Sequence, residues 1–138
     1  MSENTERRIV KVAAAFLLQD GRGLLCRRAS GSFAKKWELP GGKVEPGESA
    51  EQTCRREIQE ELNLTLGELA FLTEFSYDYP DFTLKMQVFE GQMPPEQELT
   101  LKVHDAAVWA GPDELPCLDI IEADRVLIPA LVKALKSA

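Results

Sequence analysis

The run IVKVAAAFLL, Ile9 to Leu18, is apolar throughout except for Lys11. A strand with one wet face alternates apolar and polar residues. This one does not, so it fits a strand covered on both faces. A chain of 138 residues supports one modest core, and such a strand must run through it.

The rest of the chain reads around that strand. QDGRG (19–23) is a turn signal and LLCRR resumes a strand, so the two form a hairpin. WELP is extended, because Pro40 biases Leu39 away from helix. GGKVEPGE reads as a loop. Ser49 and Gln52 match a capping box. Ala50, Cys54, Ile58 and Leu62 then recur every four residues as the buried stripe of a helix. Asn63 can stop it in the left-handed conformation. Strand residues follow between Leu64 and Tyr79, and FTLKMQVFE should pair with them. AAVWA is a further strand and GPDELP a turn. The tail from Asp119 to Lys136 has helical spacing, with Pro129 predicting a late start or a kink. Strands with one helix in the middle and one at the end predict an α/β (α+β) sandwich, a mixed sheet between helices. We expect one domain over 1–138, without repeats or linkers.

Composition narrows the function. A formal net charge of −7 argues against a broad basic surface, hence against duplex nucleic acid. It leaves room for a small phosphate ligand, because a bound cation inverts the local field. The three cysteines are odd in number and lack a CxxC pair, which suits reduced, buried thiols. MSENTERR has no apolar leader segment, and no apolar run is long enough for a bilayer. The expectation is a cytoplasmic protein that avoids membranes, monomeric, with a dimer left open.

The helix carries a conflict. With Ala50 at zero and 100° per residue, Glu57, Glu61 and Glu60 fall at roughly −20°, +20° and −80°. Glu61 therefore lies inside the apolar stripe, which runs to about 120° at Leu62. Like charges three or four residues apart repel, and a carboxylate at a core edge loses hydration. A solvated charged face does not explain that placement. A divalent cation does, since clustered carboxylates are hard oxygen ligands for Mg²⁺ or Mn²⁺. Mg²⁺ favours a few carboxylates plus substrate phosphates, so the site implies a phosphate ligand.

These residues resemble the Nudix signature, Gx5Ex7REUxEExGU with U a bulky aliphatic. Gly42, Glu48, Arg56, Glu57, Ile58, Glu60, Glu61 and Leu64 match it over 42–64, and Asn63 stands where the family has Gly. The resemblance implies a sheet between helices and Mg²⁺- or Mn²⁺-dependent hydrolysis of nucleoside diphosphate linkages. It implies that Glu57, Glu60, Glu61 and the Gly42 carbonyl hold metal, with Glu48 and Arg56 supporting them. Which carboxylate acts as base stays open among Glu57, Glu61 and a residue outside the box. The family often supplies that residue in the pattern EHxxxxW. Here His104 and Trp109 fit but Val103 replaces the Glu, leaving Glu98 or Asp105 as substitutes. His104 itself is otherwise expected to bond a backbone carbonyl.

LLCRR, KWELPGGKVEPGES and EADRVLIPALVKAL extend the likeness to the MutT-like subgroup. That implies cleavage of a nucleoside triphosphate to monophosphate and pyrophosphate, with 8-oxo-dGTP or a cytidine nucleotide as substrate. Asp124 matches a base-reading residue, or serves as a helix N-cap. Arg28 matches a nucleotide contact, and Gly41 lets backbone approach phosphates. Phe33, Trp37, Tyr77 and Phe82 are candidate base platforms. Pro80 favours the alternative of an ADP-sugar pyrophosphatase. A non-catalytic nucleotide sensor is the other alternative.

Overall fold

The structure is a computed structural model, and it describes residues 7–137. The amino-terminal six residues, on which the leader reading rests, and Ala138 lie outside the described residues.

The apolar run forms the middle of β1 (Arg8–Gln19). Its parity explains the missing alternation. Ala13, Ala15 and Leu17 face one core cluster and Ala14, Phe16 and Leu18 face another. Asp20 and Gly21 both take positive φ, 51° and 76°. A two-residue turn of this kind matches the twist of the flanking strands, and it feeds β2 (Arg22–Arg28).

β1 and β2 pair only at the turn, through Leu18 with Gly23 and Gln19 with Arg22. They then diverge. The segment after β2 fills the split. β3 (Trp37–Glu38) pairs with β2 at Arg27 and Cys26, and β4 (Gly41–Lys43) pairs with β1 at Val12 to Ala14. GGK, expected as loop, is therefore a short strand, because the freed edge of β1 offers it hydrogen-bond partners.

β5 (Ala70–Asp78) and β6 (Phe82–Gln92) pair antiparallel, and β6 runs parallel to β1 over eleven residue pairs. β7 (His104–Ala110) covers the other edge of β2. The result is a mixed seven-stranded sheet.

α1 (Ala50–Leu62) lies on one face, with Cys54, Ile58 and Leu62 fully buried against Ala13, Ala15 and Leu24. Ser49 and Gln52 form the reciprocal cap, and Asn63 ends the helix at φ 59°. The opposite face is covered by a 3-10 turn (Leu115–Cys117), the short α2 (Glu122–Arg125) and α3 (Ile128–Ser137). Pro129 sits in the first turn of α3, where its missing N–H costs nothing. The late start predicted for this helix is what forms.

Cys26 and Cys54 are buried thiols, as expected, and burial pushes both up to about 12. Cys117 is exposed, against expectation, because its 3-10 turn presents it outward. Among the described residues no helix is long and apolar enough to cross a membrane.

Candidate active site

The helix stripe that buries Ile58 and Leu62 carries Glu61 with it. Each such side chain contributes about 1.5–3 kcal/mol on burial, enough to offset the partial desolvation of one carboxylate. Glu61 Oε1 ends buried with no hydrogen-bond partner. Burial first, then the neighbouring Glu57 and the Glu38 charge, push its pKa up to about 9, against a small opposing effect of the Gly41 amide.

Glu57 lies against Gly42, where a Cβ would fall 2.3 Å from its carboxyl carbon. Arg56 organises the cluster. It donates to Glu48 through Nε and Nη2 at 2.7 and 3.0 Å, and to Glu57 through Nη1 at 2.9 Å. It also reaches Glu60 at 3.3 Å and the Lys43 carbonyl at 3.2 Å. The bidentate pair with Arg56, aided by Thr53, holds Glu48 well down, to about 2. Thr53 is a buried hydroxyl that donates to Glu48 at 2.7 Å; the sequence reading did not single it out.

Among the described residues no three carboxylate, thiol or imidazole groups converge as a finished metal cage. Glu57 and Glu60 instead both accept from Arg56 Nη1. The donor set still fits a hard cation. An unpaired buried carboxylate oxygen beside a second carboxylate and a glycine backbone is what such an ion relieves.

The split between β1 and β2 opens a cleft of about 820 Å³. Gly41, Gly42 and Glu61 line it, together with Asp124, Tyr79 and Phe82. Arg28 and Phe33 also line it, with the Arg28 guanidinium 5.8 Å from the Phe33 ring centre.

Asp124 is only 6% exposed and accepts from the Leu39 amide at 3.2 Å. Burial drives its pKa up to about 7; the Leu39 amide opposes this and Glu38 adds to it. It lies inside α2, whose N-cap is Ile121, so the N-cap reading is corrected. α2 begins three residues earlier than that reading requires.

Trp37 and Tyr77 do not line the cleft. Trp37 alternates with Glu38, so its ring turns to the core and under Arg27, 5.7 Å away. Tyr77 packs on the same core and beside Tyr79. Tyr79 does line the cleft, stacked on Phe82 with ring centres 5.0 Å apart.

Neither proposed substitute for the missing acid reaches the cleft. Asp105 is paired with Arg27 at 2.7 Å and with Lys35, which hold it down to about 2. Glu98 is exposed outside the lining. His104 bonds no backbone carbonyl. Its Nε2 is 3.0 Å from Glu38 Oε2. Glu38 was missed by the sequence reading, although a carboxylate between Trp37 and Leu39 in a short strand was its signal.

The comparisons bear on this geometry. A family model described as NUDIX domain matches residues 8–131.

The chain belongs to the NUDIX family.

The "CTP pyrophosphohydrolase" of Escherichia coli (strain K12) is 33% identical over 95% of this chain and 96% of its own length. The "8-oxo-dGTP diphosphatase" of Haemophilus influenzae is 35% identical over 54% of this chain and 57% of its own. The solution structure of the E. coli ORF135 protein superposes with a TM-score of 0.82 at 28% identity, covering 99% of this chain and 96% of that one. This NUDIX chain is a MutT-like pyrophosphohydrolase, and membership implies general dependence on a divalent metal, Mg²⁺ or Mn²⁺.

Proposed function

We propose that this single NUDIX domain hydrolyses a free nucleoside triphosphate to the monophosphate and pyrophosphate in a Mg²⁺-dependent reaction, with a cytidine nucleotide or 8-oxo-dGTP as substrate. The observation that carries this reading is one cleft lined by both Glu61, whose Oε1 is buried without a partner, and the buried Asp124.

Glu57, Glu60, Glu61 and the Gly42 carbonyl would hold the ion. A divalent cation there supplies neutralisation and polarisation of the phosphate chain. Arg56 keeps Glu57 oriented, and Glu48 and Thr53 keep Arg56 oriented. Arg28 offers a guanidinium to the phosphates. Of Glu57, Glu60 and Glu61, Glu61 lines the cleft, so we assign it to take the proton of the attacking water. Water adds to phosphorus, the bridging P–O bond breaks, and monophosphate and pyrophosphate separate.

Asp124 reads the base. Ionised, it accepts from a donor such as the cytosine N4 amine or the N7–H of 8-oxoguanine. Tyr79 and Phe82 offer the stacking surface. The unpaired cysteines suit a reducing compartment, consistent with action on cytoplasmic nucleotides.

The test offers 8-oxo-dGTP, the common NTPs and dNTPs, 5-methyl-dCTP and ADP-ribose in Mg²⁺, with pyrophosphate and phosphate scored separately and Glu57→Gln as blank. Pyrophosphate from a triphosphate is expected. Cleavage of ADP-ribose alone, or binding without turnover, would overturn the reading.

A further inference from the structure

Val103 is 57% exposed at the cleft, and its neighbour His104 turns inward. The His104 side chain is 4% exposed. Nε2 faces the Glu38 carboxylate at 3.0 Å, so it carries the ring proton and Nδ1 is an acceptor in the neutral ring. Nδ1 is buried without a partner. An apolar side chain would fill this space without burying an unpaired nitrogen. The imidazole is therefore explained by what Nε2 does.

What Nε2 does is lock Glu38. The other oxygen of Glu38 accepts from Arg28 Nε at 3.0 Å, and Arg28 Nη1 donates to the Ser32 carbonyl at 3.1 Å. Three strands thus contribute one residue each to a single bracket: Arg28 from β2, Glu38 from β3 and His104 from β7. All three residues line the same cleft as Glu61 and Asp124. Two edges of the guanidinium are spent on protein, which fixes its plane and leaves Nη2 for a ligand.

We propose that His104 is a positioning residue that, through Glu38, aims the Arg28 guanidinium at the phosphate chain of the nucleotide. This rests on the triphosphate reading above. It also gives the position beside Val103 a task other than the one a glutamate at 103 would perform.

The experiment measures binding of a nucleoside triphosphate with an α,β-methylene bridge by calorimetry in Mg²⁺, beside steady-state kinetics on the best substrate. His104→Phe should raise Kd and KM about tenfold, the scale of one charge-assisted hydrogen bond, with kcat changed less than about twofold. His104→Gln, which keeps an N–H for Glu38, should recover most of the loss. In an Arg28→Ala background His104→Phe should add nothing. Unchanged Kd and KM, or an undiminished effect without Arg28, would overturn the proposal. Should His104→Phe fail to fold, Glu38→Gln carries the same test at nearly constant volume. A wild type that neither binds the analogue nor cleaves any triphosphate overturns the functional reading and this inference with it. A wild type that binds, with variants that bind equally well, overturns this inference alone.

Discussion

Gly42 has no room for a side chain because Glu57 occupies it: a Cβ there would meet both carboxylate oxygens at 2.5 Å. The obstacle is the flexible end of a side chain, so the fold can yield while the site cannot. Gly42→Ala should melt close to the wild type, within about 1 kcal/mol. Its activity should need about 10–100-fold more Mg²⁺, the usual effect of displacing a group that supports a metal ligand. A Mg²⁺ titration of turnover, beside a thermal melt, checks both halves.

Glu61 is held in the apolar stripe at a cost to the metal-free protein, since burial and two neighbouring carboxylates disfavour its charge. Glu61→Gln should therefore raise the melting temperature without Mg²⁺. It should also lower kcat by about a thousandfold, in line with several kcal/mol of lost transition-state stabilisation. A variant less stable than wild type in EDTA would contradict the account of the stripe.

Asp124 gives a pH dependence with a definite sign. Its folded pKa, about 7, lies above the ordinary 3.8. The folded state binds the proton more tightly, so stability falls as pH rises from about 4 to about 7 and is level above. Asp124→Asn removes that slope. Urea unfolding should show the variant gaining on wild type by about 3 kcal/mol between pH 4.5 and pH 8. A constant difference across that range would sink the assignment.

Arg56 touches Glu48, Glu57 and Glu60 together, and a lysine ammonium cannot reproduce that fork. Arg56→Lys should lose about 10–100-fold in activity despite keeping the charge. Circular dichroism should show α1 intact, because Ser49 and Gln52 cap it independently.

The amino-acid sequence by itself determined α1 and its carboxylates. The cap, the stripe and the stop depend on residues within about four positions of one another, where capping and periodic burial act. It also determined that β1 is central, since an apolar run without alternation has no wet face. The intrusion of Glu61 into the stripe was legible from the helix geometry alone, and with it the need for a cation.

Only the tertiary structure decided the cleft. Glu38 meets His104 across 66 positions, and the Leu39 amide meets Asp124 across 85. Those meetings follow from β1 and β2 parting after two residue pairs, with Trp37–Lys43 filling the gap. Strand register and desolvation are set by the whole packed sheet, not by neighbours in the chain. That is why Trp37 and Tyr77 turn away from the cleft, and why Asp124 titrates near neutrality while Asp105 does not.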